Sequence, residues 1–213
     1  MEVELQFVYH GGRPLVVPTS LADLELRRSA VRTLLDTYFD TEALDLRQAG
    51  CSLRVRQADD WLRPRLTFKG PSRKRAGAKH RHESEVEIES LPTSNAEIAA
   101  VLRDNDLAVV VRKLAAFEFD SELRPIGQLR NRRSEHRYAH GLHRLELTWD
   151  ELEFPTGEPQ IRLEIEARSE SAGRLLQKAE AEVMDLFGKN LSPPELGKMR
   201  ELCERLYPEL LAA

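Results

Sequence analysis

Along most of this chain apolar and polar residues take turns, and a period of two marks a strand whose successive side chains point to opposite faces. Residues 2–8 set Val3, Leu5 and Phe7 against Glu2, Glu4 and Gln6. The same alternation, bounded by turn residues, predicts strands at about 36–40, 50–58, 63–70, 81–90, 128–138, 143–151 and 160–168. Elsewhere a wider apolar stripe predicts helices. Thr19 or Ser20 can cap one that runs to about Asp36, with Leu21, Leu24, Leu26, Val31, Leu34 and Leu35 on its apolar side. Pro92, Thr93, Ser94 and Asn95 open a second, to about Arg103, and a short third is predicted near 106–116. The chain closes with helices near 170–187 and from Ser192, where Pro193 takes the first position. Residues 70–80, GPSRKRAGAKH, read as an exposed basic loop. No repeat, low-complexity tract or linker divides the chain, so the pattern predicts one α+β domain over residues 1–213 with seven or eight strands.

Composition narrows the function classes. With 41% hydrophobic and 32% charged residues, the 213-residue chain has the make-up of a globular protein with enough apolar material for a core. Its 32 Lys and Arg against 36 Asp and Glu exclude a global attraction to nucleic acid or to an anionic membrane. Aromatic residues, at 6%, are too few for a base-stacking platform. No apolar run approaches the roughly 18–20 residues that span a bilayer, and the opening MEVELQF lacks the features of a secretory signal, so a cytoplasmic protein is expected. Cys51 and Cys203 have no metal-ligand spacing and read as free thiols. The six histidines form no HxH or HExxH, and Walker, GxSxG and GxGxxG motifs are missing from the sequence. Trp61 and Trp149 read as packing residues.

The charges are balanced overall but segregated. Eight Lys and Arg and no acid lie between Arg63 and His82, and five Arg with one Glu lie between Arg124 and Arg137. Acids cluster at Glu2 and Glu4, at Glu83, Glu85, Glu87 and Glu89, and at Glu164 and Glu166. Each predicted strand therefore has one ionic and one apolar face, and two arrangements satisfy that pattern. In one, the ionic faces of an antiparallel sheet meet water. In the other, the sheet curls so that they point inward, with helices on the apolar outside. Carboxylates about 4 Å apart repel by about 4 kcal/mol at an effective dielectric near 20, so an inward-facing acidic wall calls for a cation. Such a wall suits hard divalent ions, and a facing wall of Arg and Lys suits phosphate oxygens.

At these strands the sequence resembles a known family. EVELQ at 2–6 is similar to the ExExK strand of the CYTH domain, also called the triphosphate tunnel metalloenzyme superfamily. TYFDTEALDLRQAGCSLRVRQ at 37–57 resembles its tyrosine-aspartate segment and LRxR strand, and LTFKGPS at 66–72 its LTxKGP strand. RHESEVEI at 81–88, LTWD at 147–150 and LEIE at 163–166 follow in the family's order, so the resemblance covers residues 2–166. It implies an eight-stranded antiparallel β-barrel, a tunnel with an ionic interior and helices packed outside, that binds a triphosphate with Mg²⁺ or Mn²⁺. Inorganic triphosphatase, thiamine triphosphatase and class IV adenylate cyclase are the activities it brings.

Carried over by position, Glu2, Glu4, Asp150, Glu164 and Glu166 are the expected metal ligands. Glu2, Glu4 and Glu85 are the expected catalytic carboxylates, with Glu83 in support. Arg54, Arg56, Lys69 and Arg81 are expected on phosphate, joined by Arg133, with Arg130 as the other choice on that strand. Lys198 is a candidate for a further contact, in a context, GKMREL, unlike the family's. Gln6 stands where the family motif has lysine, an amide that donates a hydrogen bond but brings no charge. The expected function is metal-dependent hydrolysis of tripolyphosphate or a related small-molecule triphosphate. The rivals are cyclisation of ATP to cyclic AMP and a polyphosphate- or nucleotide-binding module without catalysis. The resemblance is also compatible with a homodimer; no nucleic-acid or membrane partner is expected.

Overall fold

A computed structural model describes residues 2–12, 16–75, 78–115, 122–167 and 172–210. In chain order they form β1 (Glu2–Tyr9), β2 (Ser20–Leu21), β3 (Leu24–Asp40), α1 (Asp45–Gln48), β4 (Ser52–Ala58) and β5 (Arg65–Lys69). Then come β6 (Arg73–Arg75), β7 (Ala78–Arg81), β8 (Glu83–Glu87), α2 (Asn95–Asp104) and α3 (Leu107–Ala115). The second half supplies β9 (Arg124–His140), β10 (His143–Glu153), β11 (Gln160–Ala167), α4 (Ala172–Phe187), β12 (Leu191–Ser192) and α5 (Lys198–Leu206).

The strands pair antiparallel in the order β6-β7-β1-β11-β10-β9-β3-β4-β5-β8, with β12 added to β1 and β2 to β3. This corrects the expected eight-stranded barrel: among the described residues the path has ten strands and two edges, β6 and β8, and the ladder does not close. The reason lies in the short β6–β7 hairpin. β7 already has β1 on one side and β6 on the other, so β8 finds no free strand edge there. Only His82 separates β7 from β8, so the polypeptide, rather than a hydrogen-bond ladder, links the two sides of the sheet.

Three local expectations also change. The apolar stripe after Ser20 belongs to a strand, not a helix. Ala22 and Asp23, at φ 52° and 60°, make a two-residue turn that pairs Leu21 with Leu24. Beyond it, β3 pairs with β9 from Glu25 opposite Ala139 to Asp40 opposite Arg124, and this long ladder overrides the local helical pattern. Residues 73–75 and 78–81, expected in a loop, form the β6–β7 hairpin. The last helix starts at Lys198 with Gly197 as N-cap, because Leu191 and Ser192 pair with Tyr9 and Val8 and two prolines follow. At α2 the capping signal holds: Ser94 Oγ accepts from the Glu97 N–H at 3.2 Å, and the Glu97 carboxylate accepts from the Thr93 N–H at 2.7 Å.

Apolar residues of the outer sheet face pack under two helical layers. Val3, Leu5, Leu147, Trp149, Leu163 and Ile165 meet Leu176, Ala179 and Val183 of α4. Trp149 stands edge-on to Tyr9 and Phe187, with centroids 5.3 and 5.2 Å away. Leu53, Val55, Leu66 and Phe68 meet α2 and α3 at Ile98, Leu102, Leu107 and Val111. Helix α5 takes the other side. Met199, Leu202 and Cys203 pack on Tyr38, Leu129 and Leu152. Register puts Tyr38 opposite Arg54 and Leu152 two places beyond Asp150, so α5 sits on the face that carries the charges. Arg162, 1% exposed, ties it down through Glu201. The inner face is thus apolar beneath α5 and ionic beyond it.

Candidate functional site

Directly opposed residues of antiparallel strands share a face, so register alone lines up the inner charges. Across β1, β11 and β10 run the rows Glu4, Glu166, Glu146 and Gln6, Glu164, Thr148. Across β3, β4, β5 and β8 run Asp36, Arg56, Arg65, Glu87 and Tyr38, Arg54, Thr67, Glu85. The curl of the sheet turns both sets toward one cavity of about 360 Å³, floored by residues 194–200 at the start of α5.

The expected residues Glu4, Arg54, Arg56, Lys69, Arg81, Glu85, Arg133, Glu164 and Glu166 all line this cavity. Asp150 does not; it is fully buried beside it. Arg130 is exposed, whereas Arg133 stands opposite Asp150 and faces the cavity, which separates the two choices on β9. The backbone of Glu2 pairs with Arg81 on β7, and its side chain lies outside the described residues.

Two buried aspartates organise the cations. Asp36 receives Arg56 Nε at 2.6 Å and Nη2 at 2.7 Å, and Arg54 Nη1 at 3.2 Å. Burial opposes its charge, but Arg56, Arg54 and Lys198 together hold the carboxyl far below the usual range. Asp150 receives Arg133 Nε and Nη2, each at 2.7 Å, and Asn131 Nδ2 at 2.9 Å. It also receives the Lys198 ammonium. It too stays ionised against burial, through Arg133 and Lys198. Glu164 bridges the network, with Lys198 Nζ at 3.0 Å and Gln6 Nε2 at 3.0 Å on the same oxygen and Arg133 Nη2 at 3.1 Å on the other. Burial acts against its charge, but Lys198 and Arg133 together outweigh it, so its pKa is lowered.

The remaining pairs sit around the rim. Arg81 Nη2 donates to Glu4 at 2.9 Å, and Lys69 lies 3.1 Å from Glu83. Arg65 and Thr67 donate to Glu85 at 3.0 and 3.3 Å. Glu146 is the exception in sign: burial, then the charges of Glu135 and Glu166, raise its pKa. Among the described residues no group of three or more His, Cys, Asp or Glu side chains is gathered as a ready-made metal cage.

Sequence reasoning missed Asp36, Asn131 and Glu146 as members of the site. Asp36 shares the parity of Tyr38 and Asp40 in the strand expected at 36–40, but it stands at the junction with the expected helix and is given no role there. Asp40, by contrast, accepts the N–H groups of Thr41, Leu46 and Arg47 at 2.8, 2.8 and 2.9 Å and shapes the turn at α1. Chemically, the cavity offers fixed guanidinium forks and ammonium groups to anionic oxygens, with carboxylates placed between them.

Comparison with known proteins adds a family and a fold. The model of the CYTH domain matches residues 1–191. Solved structures share the fold at low identity. A putative adenylyl cyclase from Hippeastrum, described by a dominant triphosphatase activity, superposes with a TM-score of 0.68 at 20% identity, covering 95% of both chains. A putative adenylate cyclase from Bacillus halodurans gives 0.54 at 18%, covering 80% of this chain and 82% of that one. A protein from Pyrococcus horikoshii gives 0.52 at 17%, covering 94% and 98%. No curated protein matches the chain. No helix among the described residues is long and apolar enough to cross a membrane.

Proposed function

The chain belongs to the CYTH domain family, and we propose that it is a metal-dependent hydrolase of a small-molecule triphosphate, with inorganic tripolyphosphate as its preferred substrate class. The observation that carries this reading is one cavity lined by Arg54, Arg56, Lys69, Arg81, Arg133 and Lys198 with carboxylates among them. That many cations suit a ligand bearing several anionic oxygens. The preference for an inorganic chain rests on what the lining offers a base. Among the described residues Tyr38 is the only aromatic ring there, and at 3% exposure it has no face open for stacking.

In this reading Arg54, Arg56, Lys69, Arg81 and Arg133 bind and orient the phosphoryl groups, and Lys198 closes the floor. Fixed positive groups matter because they neutralise charge that spreads over the transferred group without having to reorganise. Glu4 or Glu85 orients the attacking water; the water oxygen bonds to the terminal phosphorus, the bridging P–O bond breaks, and phosphate and pyrophosphate leave.

The donor set fits the implied Mg²⁺ or Mn²⁺. Glu4 and Glu166 are oxygen donors opposite each other in register, both at the cavity. Mg²⁺ is commonly held by one or two carboxylates with phosphate oxygens and waters completing its shell, so a closed protein cage is not required. Glu4, Glu164 and Glu166 would hold it; of the further ligands that the resemblance brings, Glu2 and Asp150, the second is buried beside the cavity with its oxygens taken by Arg133, Asn131 and Lys198. When bound, the ion supplies charge neutralisation of the phosphoryl oxygens and a more acidic water.

The test is a screen of tripolyphosphate, thiamine triphosphate and ATP with Mg²⁺ and with Mn²⁺, reading phosphate and cyclic AMP. Phosphate released fastest from tripolyphosphate supports the proposal. Cyclic AMP from ATP would turn it toward the cyclase, and tight binding without turnover toward a binding module.

A further inference from the structure

Arg54 and Arg56 project from one strand toward one cavity, two like charges on long side chains with nothing in their own strand to hold them apart. What holds them is Asp36, directly opposite Arg56 in the β3–β4 ladder and 0% exposed. It treats the two unequally. Arg56 gives it both Nε and Nη2, in the bidentate fork that fixes a guanidinium plane. Arg54 gives it Nη1 alone, and its Nε is buried with no hydrogen-bond partner among the described residues.

We propose that Asp36 is the positioning residue of this site: it clamps Arg56 and steadies Arg54 by a single contact, leaving the rest of the Arg54 guanidinium, at the cavity, to meet a phosphoryl oxygen. This rests on the triphosphate reading given above. A buried ion pair is a poor device for stability alone, since a hydrophobic replacement of similar volume is often as stable, so a role in orientation explains the arrangement better. Arginine side chains also lose considerable rotamer freedom when ordered, and a side chain already clamped loses less on meeting its ligand.

The experiment follows the arginine Nε–H signals of the whole, wild-type chain by ¹⁵N NMR as tripolyphosphate and Mg²⁺ are added, with binding heat measured in parallel. Arg56 Nε–H should be protected from exchange in the free protein and stay in place on titration, while Arg54 Nε–H shifts. Binding heat with an equal shift of both signals, or an unprotected Arg56 Nε–H in the free protein, overturns the clamp. Absence of binding heat overturns the triphosphate reading instead, and the clamp is then judged by the exchange protection of Arg56 alone. Two variants add a kinetic readout. Asp36→Asn should lower kcat by about 100-fold, as misplaced groups do, while KM moves by about threefold or less. Asp36→Glu, which keeps the charge, should recover part of kcat. Unchanged kcat in Asp36→Asn, or kcat and melting temperature falling together in both variants, marks Asp36 as structural and overturns the proposal. If neither variant folds, the NMR result on the wild-type chain decides.

Discussion

Asp36 and Asp150 are both fully buried carboxylates that hold two cations each at the cavity, but different parts of the chain assemble them. Arg54 and Arg56 come to Asp36 from the neighbouring strand, 18 and 20 residues along, so a single β3–β4 ladder builds that half. Asp150 takes Arg133 from 17 residues away on the adjoining β9, but Lys198 reaches it from 48 residues away on α5. The Lys198 contact exists only when α5 is docked on Tyr38, Leu129 and Leu152. The difference teaches that one wall of the cavity depends on local pairing and the other on the seating of a helix. Disturbing α5 should therefore damage them unequally.

The largest expected effect is on the Asp150 side. Asp150→Asn leaves Arg133 and Lys198 with Glu164 as their one shared anion in a buried place, and should cost about 3–5 kcal/mol of stability by urea denaturation. A loss in the range of an exposed ion pair, about 0–1 kcal/mol, would break the comparison by showing that water reaches this end. Next comes Leu202→Ala, at a position 0% exposed beneath α5. It should cost about 2–5 kcal/mol through the cavity it leaves. By the same docking logic it should disturb the Arg133 Nε signal while the Arg56 Nε signal stays; equal disturbance of both would mean the halves are not separable.

Acid comes third, and here the two halves should behave alike. Asp36, Asp150 and Glu164 have folded-state pKa values below their unfolded ones, so their stabilisation is complete above the unfolded range near pH 4. It is lost as pH falls from there through the depressed folded values. Glu146 acts in the opposite sense, since its raised pKa lets the folded state take up a proton first and gain some stability as pH falls. Denaturation midpoints should therefore fall steeply below about pH 5, with the onset blunted by Glu146 and Asp40, after a smaller loss as pH falls through the usual histidine range, where burial keeps His136 from taking its proton. A midpoint that rises below about pH 4 would contradict the assignment.

The smallest effect is at Gln6, which shares the Glu164 Oε1 atom with Lys198. Gln6→Lys adds a charge beside the proposed phosphate wall and should tighten tripolyphosphate binding by up to about tenfold, the worth of one charge-assisted hydrogen bond. Unchanged affinity in calorimetry would mean that the new ammonium pairs with Glu164 and never reaches the ligand.

Much of this molecule was legible in alternation, because the side-chain period of a strand is a property of the backbone itself. Glu4, Arg54, Arg56, Lys69, Glu164 and Glu166 could be grouped by parity before any strand was paired, and the capping signal at Ser94 follows from short-range chemistry. Asp36 stood where an expected helix met the strand expected at 36–40, and only pairing with β9 makes residues 24–40 one strand that runs through it. Arg133 and Arg130 are both plausible in the sequence, and it is the register against β10 that turns one inward. The open ladder was illegible for a similar reason. Whether β8 meets another edge depends on β6 having already taken the side of β7, a competition for one strand edge that alternation does not rank. Sequence by itself determined which side chains share a face. Which faces meet, where the sheet ends, and which carboxylates sink beneath the cavity were decided by the tertiary structure, because these follow from long-range register and helix docking that no local period encodes.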